Sequence, residues 1–290
     1  MPELPEVETV RRHLAGALIG TSIASAESCG KLRRGTDSDE LDAFCRQRRI
    51  IAVRRRAKYL LMLFAEGDGL IIHLGMTGYF VLADNPDDSY GAKHVRARWV
   101  LTDGRVLRFC DPRRFGQIRL CPGRYFRRWP AELAALGPEP LSSQFNAAWL
   151  FTASRGRRCP IKALIMDQQQ VGGVGNIYAS EALFRAGIAP QSPAQNLDEE
   201  QCGRLARAIR RVLREAIAAG GTTISDFRTL DGSEGGFAVK LRVYDRAGEV
   251  CRRCGTIIER TVIGGRSSFF CPKCQPVASA VTPPASPKKR

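Results

Sequence analysis

No apolar run in this sequence approaches the roughly 18 residues needed to cross a bilayer. The longest candidate, Tyr59 to Phe64, is cut off by Glu66 and Asp68. The opening also lacks a basic stretch followed by an apolar core, since Met1 to Glu8 carries Glu3, Glu6 and Glu8. Neither a membrane partner nor a secretory leader is therefore expected. Acidic residues are in deficit: 29 Asp and Glu stand against 45 Lys and Arg, a formal charge of +16. That balance favours an anionic partner. Setting aside Lys288, Lys289 and Arg290 leaves +13, so the basic character belongs to the folded body. With 290 residues and 44% apolar content the chain can fill sizeable cores, which excludes a disordered chain and a disulfide-stapled miniprotein. At about 150 residues per domain, roughly two domains are expected.

The cysteines are unevenly placed. Cys29, Cys45, Cys110, Cys121, Cys159 and Cys202 are scattered singly, whereas four cluster at the C-terminus. This pattern reads as a reducing compartment plus a metal site. The pairs Cys251-Arg-Arg-Cys254 and Cys271-Pro-Lys-Cys274 have the spacing of a tetrahedral all-thiolate zinc site, with a redox pair as the alternative. Between them, Thr256 to Phe270 alternates in character and carries a turn at Gly264-Gly265. So small a segment needs its metal to fold.

Val7, Val10, Leu14 and Leu18 recur at helical spacing, with Pro5 suited to a first turn and Gly20 to a C-terminal cap, which predicts a helix over about 5–19. From Ile50 to Leu120 the texture is β, with runs at Ile50–Val53, Tyr59–Phe64, Leu70–Leu74, Ala97–Leu101 and Arg105–Phe109. A β-sandwich or a barrel fits that spacing. After Gly137-Pro-Glu-Pro140 the periodicity becomes helical. Asp198 to Gln201 forms a capping-box pattern, and Leu205, Ile209, Val212, Leu213 and Ile217 form one apolar stripe ended by Gly220-Gly221. Val277 to Arg290 contains too little apolar surface to offset its ordering entropy and is expected to be disordered.

Pro2-Glu3 is the most unusual pair. Initiator methionine is normally removed before a small second residue, which leaves Pro2 with a free secondary amine. An α-amine titrates near 8, so a useful fraction is neutral and nucleophilic at neutral pH. Glu3 beside it can act as acid or base. Taken alone, such a pair is more often a solvated chain end.

The wider constellation changes that weighting. Pro2-Glu3-Leu4-Pro5-Glu6-Val7-Glu8-Thr9-Val10-Arg11-Arg12 resembles the start of bacterial formamidopyrimidine-DNA glycosylases. The similarity continues in order through His73-Leu-Gly-Met76-Thr-Gly78, Asp111-Pro-Arg113-Arg114-Phe115-Gly116, Gly173-Val-Gly-Asn176-Ile-Tyr178-Ala-Ser-Glu181, Gly220-Gly-Thr-Thr223 and the cysteine segment with Gly265-Arg266. The resemblance implies an α+β fold. Its parts would be an N-terminal β-sandwich catalytic domain with flanking helices at 2–135, a linker at 136–148, a helix–two-turns–helix domain at 149–240, a β-hairpin zinc finger at 241–275 and a disordered basic tail at 276–290. It also implies a bifunctional DNA glycosylase and AP lyase of base excision repair. Such an enzyme removes oxidised purines from double-stranded DNA and acts on abasic sites, as a cytoplasmic, nucleoid-associated monomer.

Carried over residue by residue, the resemblance makes Pro2 the nucleophile and Glu3 the proton carrier, with Lys58 and Arg266 holding phosphates at the lesion. Met76, Arg113 and Phe115 would fill the gap left by a flipped nucleotide; without the family, Met76 and Phe115 would read as core and Arg113 as a surface charge. Asn176 would bind a phosphate, which suits the unpaired N–H groups of a helix start after a glycine turn. His94, Arg157 and Lys162 align with backbone contacts, while His13 and His73 serve structure. Cys251, Cys254, Cys271 and Cys274 hold one structural zinc. Two departures stand out: Ser225 stands where relatives carry Lys or Arg, just before the base-capping region Arg228 to Gly236, which bears on base preference, and Lys93 before His94 replaces an acidic residue. The oxidised-pyrimidine endonuclease VIII branch is opposed by Leu4-Pro5 and by the Arg113 and Phe115 pair. A non-catalytic damaged-DNA-binding protein is opposed by the intact Pro2-Glu3. A zinc-ribbon transcription or RNA-binding factor leaves the N-terminal block unexplained.

Overall fold

The computed structural model describes residues 1–30, 32, 36–85, 93–123, 129–222 and 236–278. The chain forms two compact units, Met1–Leu136 with Leu213–Lys240, and Gly137–Val212 with Leu241–Arg290.

In the first unit, helix α1 (Leu4–Leu18) precedes β1 (Ile23–Ser28), α2 (Ser38–Cys45), β2 (Ile50–Arg56), β3 (Tyr59–Phe64), β4 (Gly69–His73), β5 (Tyr79–Ala83), β6 (Val95–Leu101), β7 (Val106–Cys110), β8 (Gln117–Cys121) and the single turn α3 (Ala131–Ala134). The strands make two antiparallel four-stranded sheets, ordered β1-β6-β7-β5 and β2-β3-β4-β8. One apolar core draws on both: Ile23, Phe80, Trp99, Leu107 and Phe109 from one sheet, Val53, Leu60, Met62, Leu70 and Ile118 from the other. This resolves the sandwich-or-barrel choice in favour of the sandwich. Val7, Val10, Leu14 and Leu18 seal the same core, so the helical stripe read from the sequence is the buried face of α1. Residue pattern does not single out strands β1, β5 and β8. Ile23-Ala-Ser-Ala-Glu-Ser28 is small and polar, and it becomes a strand through its pairing with β6.

The second unit contains α4 (Ala147–Ser154), α5 (Ile161–Met166), α6 (Asn176–Ala186) and most of α7 (Glu199–Ala218), followed by the hairpin of β9 (Glu259–Ile263) and β10 (Arg266–Phe270). The capping box at the start of α7 is present, with Asp198 Oδ1 accepting the Gln201 N–H at 2.7 Å and Gln201 Oε1 accepting the Asp198 N–H at 3.0 Å. Leu205, Ile209, Val212 and Leu213 are fully buried as the stripe requires. Gly264 and Gly265 both adopt positive φ, 56° and 72°, the conformation a two-residue hairpin turn demands.

The first residues of the segment expected to be disordered are instead held in place. Pro276 accepts the Ala189 N–H, and Ala278 is buried, donating to Ser192 Oγ at 3.0 Å and accepting from Asn196. Backbone hydrogen bonds hold these residues where side chains could not. The remainder of the tail, from residue 279, lies outside the described residues, as do Ser225 and the base-capping positions 228–235. Among the described residues no helix is long and apolar enough to cross a membrane.

Candidate active site and nucleic-acid interface

Pro2 and Glu3 are buried although they stand at the chain's start. The cause is the N-terminus of α1. Glu3 is its cap residue, in extended geometry, and forms a capping box with Glu6: the Glu3 side chain takes the Glu6 N–H, and Glu6 Oε2 accepts the Glu3 N–H at 2.8 Å. The other Glu6 oxygen accepts the Thr222 N–H at 2.8 Å. One buried carboxylate thus ties the first residues to the turn after α7. Gly221 is required at that turn, because its φ is +88° and a Cβ there would stand 3.0 Å from Glu6 Oε1. Sequence reasoning passed over Glu6, although an acid three residues after the cap is the recognisable half of the box.

Lys58 lies in the tight turn between β2 and β3, beside Ala57 at a φ of 51°, and is only 6% exposed. Within the basic run Arg54 to Lys58 only Arg54 is exposed: Arg56 is buried with its guanidinium on the Leu136 carbonyl, and Arg55 binds Glu8 at 3.0 Å. Burial would raise the Glu8 carboxyl, yet bonding to Arg11 and Arg55 holds it below its ordinary value. His73 packs on Tyr59 with ring centroids 4.7 Å apart, and its Nδ1 accepts the Gly75 N–H at 3.0 Å. Burial first, and then the Lys58 charge, push His73 down to about 4, so the imidazole is neutral at neutral pH. This fits the structural role expected of it.

Met76 and Phe115 are 39% and 40% exposed, which removes the alternative that they are core. Arg113 is exposed and its guanidinium lies 5.0 Å over the Phe115 ring. The loops bearing these residues meet at Asp111, a carboxylate with no exposed surface. Its Oδ1 accepts from Thr77 Oγ1 at 2.6 Å and its Oδ2 from the Gly116 N–H at 2.6 Å. His94, also exposed, precedes β6 with a φ of 66°.

In the second unit the loop between α5 and α6 is stitched by one amide. Gln168 donates to the Met166 and Val174 carbonyls, both at 2.9 Å, and accepts from the Gly173 N–H at 2.8 Å. Gly175 is the cap of α6, so Asn176 is the first helical residue and not the cap. Its Nδ2 donates to the Ser267 carbonyl at 3.0 Å. Lys162 requires a correction: it has no exposed surface, and its Nζ donates to that same carbonyl at 3.1 Å and to Ser268 Oγ at 2.7 Å. A side chain so enclosed does not reach a phosphate; it anchors β10, whose first residue is Arg266. Arg266 itself is exposed, as is Arg157 beyond the end of α4. Glu181 on α6, part of the motif but given no role from sequence, is another anchor, fully buried and accepting the N–H groups of Arg242, Val243 and Tyr244 at 2.9 to 3.0 Å.

The four clustered cysteines bring their Sγ atoms within 4.8 Å of one another. The Arg253 N–H points at Cys251 Sγ at 3.4 Å, and Cys251 packs with Phe184, Val243, Ile258 and Phe269. Four thiolates with no other donor suit one structural zinc and leave no open position for catalysis. The other cysteines behave differently, and none of the ten is in a disulfide. Burial pushes Cys45 up to about 12 and Cys110 and Cys202 up to about 11, so these thiols are inert.

Three family models match the chain: the formamidopyrimidine-DNA glycosylase N-terminal domain at residues 1–118, its H2TH domain at 136–228, and a zinc finger found in FPG and IleRS at 248–277. The formamidopyrimidine-DNA glycosylase of Yersinia enterocolitica is 45% identical over 281 residues, covering 95% of this chain and 100% of that protein. That of Magnetococcus marinus is also 45% identical, over 95% and 99%. Among solved structures, MutM (FPG) from Thermus thermophilus is 44% identical with a TM-score of 0.83, covering 96% and 100%. A Lactococcus lactis Fpg in complex with abasic-site DNA is 34% identical with a TM-score of 0.84, covering 94% and 99%.

Proposed function

Because the chain belongs to the formamidopyrimidine-DNA glycosylase family, we propose that it performs this family's chemistry with the Pro2 amine as nucleophile. It is a DNA glycosylase of base excision repair with AP lyase activity, acting on oxidised purines in double-stranded DNA. Structural relatives from Lactococcus lactis hold Fapy-dG-containing and abasic-site DNA, which supports both substrates. A lesion inside the duplex is unreachable, so the nucleotide must be flipped out and its place filled.

The observation that carries the residue assignment is the buried Pro2-Glu3 pair, fixed by the capping box of α1. Once Met1 is removed, the neutral Pro2 nitrogen attacks C1′. The glycosidic bond breaks with its electron pair going to the base, which takes up a proton. Loss of the amine proton and opening of the sugar give an iminium, with Glu3 moving the proton at the ring oxygen. The iminium acidifies the C2′ hydrogen, and β- then δ-elimination expel the two phosphates. Lys58 and Arg266 stabilise the charge on those phosphates. Asn176, His94 and Arg157 hold the backbone, and the zinc finger presents Arg266. Met76, Arg113 and Phe115 occupy the gap, where the Arg113 guanidinium meets the O2 and N3 acceptors of cytosine but a donor group on adenine. Excision is accordingly faster opposite cytosine, which also avoids fixing a mutation where adenine was misinserted. Nucleoid association, cytoplasmic location and action as a monomer belong to the same proposal.

Borohydride reduction on a lesion-containing duplex tests the nucleophile. The expected result is an intact mass lacking Met1 and a covalent DNA adduct mapped to Pro2. An adduct mapped to an internal lysine overturns the assignment.

A further inference from the structure

We propose that Asp111 is a positioning residue that presets Met76, Arg113 and Phe115 before DNA binds, and so sets the preference for cytosine opposite the lesion. This rests on the gap-filling reading of those three side chains.

All three are exposed, yet the backbone beneath them is closed. Asp111 bonds the residue after Met76 through Thr77 Oγ1 at 2.6 Å and the residue after Phe115 through the Gly116 N–H at 2.6 Å. It also accepts the N–H of Arg113 itself at 3.3 Å. The Asp111 backbone is fixed in turn: its N–H donates to the His94 carbonyl at 3.0 Å and its carbonyl accepts from Arg96 Nε at 2.9 Å. The two loops touch main chain to main chain. A Cβ on Gly75 would stand 2.5 Å from the Phe115 carbonyl carbon, and one on Gly116 would stand 2.7 Å from the Phe109 ring. Arg114, between the two key residues, sits at a φ of 60°, a strained conformation for a non-glycine residue that persists only where its surroundings hold it. A buried carboxylate that collects donors from both loops supplies that hold. Side chains mounted on such a preset frame lose little further freedom on entering the gap.

Asparagine at this position makes an informative variant. Its single carbonyl oxygen can keep the Gly116 N–H, and its amide can donate to Thr77, whose hydroxyl is able to turn and accept. The Arg113 N–H then loses its carboxylate acceptor and keeps only Thr77 Oγ1, with which it is also paired at 3.3 Å. Thr77→Val instead cuts the tie to the Met76 loop, and with it the Thr77 share of the Arg113 N–H, while keeping the side-chain shape.

The experiment is single-turnover excision of 8-oxoguanine paired with cytosine or with adenine, in wild type, Arg113→Ala, Asp111→Asn and Thr77→Val. Wild type is expected to be faster opposite cytosine and Arg113→Ala to lose that difference. Asp111→Asn and Thr77→Val should each narrow the cytosine-to-adenine ratio by about fivefold, the worth of one hydrogen bond. If both lower the two rates equally and keep the ratio, Asp111 only supports the fold and the inference is overturned. Should Asp111→Asn not fold, an unchanged ratio in folded Thr77→Val overturns it equally. If Arg113→Ala retains the wild-type ratio, the gap-filling reading itself fails, which is a distinct result.

Discussion

Single residues carry protonation consequences that share a sign, loss of stability on acidification, and differ in the pH range over which they act. His73 ordinarily titrates at 6.5 and is pushed down to about 4 in the fold, by burial and then by Lys58. Between those values the unfolded chain takes up a proton that the folded chain refuses, so stability is full above 6.5 and falls as the pH drops towards 4. Glu8 and Asp42, whose folded values lie below their ordinary 4.5 and 3.8, act lower still: their stabilisation is present above those values and is lost on further acidification. His73→Asn keeps an acceptor for the Gly75 N–H but removes the titration. Its melting temperature should therefore fall less steeply between pH 6.5 and 4 than that of wild type, as followed by circular dichroism. Parallel pH profiles would show that His73 is not the group responsible.

At the scale of elements, the β9–β10 hairpin depends on supports that lie far away in sequence. Zinc is expected at one equivalent per chain, and Cys271→Ser should lose it by metal analysis; full zinc in that variant would refute the four-cysteine site. The turn at Arg242 to Tyr244 depends on Glu181, whose carboxylate accepts three backbone N–H groups with no exposure to water. All three N–H groups reach Oε1, and Oε2 takes a share of the Arg242 N–H, so in Glu181→Gln the carbonyl can keep all three while the amide nitrogen faces the Arg242 N–H and the charge that strengthened the bonds is lost, at a cost of roughly 1 to 3 kcal/mol. A melting temperature lower by several degrees is expected, together with easier zinc removal by chelators. A variant as stable as wild type would show that the nest tolerates an amide. Such supports escape a sequence reading, because a glutamate within Tyr178-Ala-Ser-Glu181-Ala-Leu183 gives no sign that its partners stand some sixty positions later.

For the whole molecule, the charge of +16 predicts DNA affinity that falls steeply with salt, by about 0.9 in logarithmic slope for each phosphate contact. Removing exposed Arg157 as Arg157→Ala should lessen that slope by about 1 in fluorescence-anisotropy titrations, whereas buried Lys162, changed as Lys162→Met, should weaken binding without altering the slope. Equal slope changes would restore Lys162 as a phosphate contact. Much of this protein was determined by its sequence alone. The α1 stripe, the cap at Asp198, the Gly264-Gly265 turn and the cysteine spacing are local, set by periodicity, φ preference and ligand geometry within a few residues. The ordered motifs from Pro2 to Arg266 identified the family in the same way. The tertiary structure alone decided which polar side chains are enclosed. Lys162 turned inward to the Ser267 carbonyl, Met76 and Phe115 turned outward from the core, Glu6 and Glu181 acquired backbone donors from elsewhere in the chain, and Asp111 acquired the hydroxyl of distant Thr77. A carboxylate or an ammonium looks the same in a sequence whether solvated or buried. Only the fold supplies the partners that offset the loss of water around a buried charge, and those partners are not its neighbours in the chain.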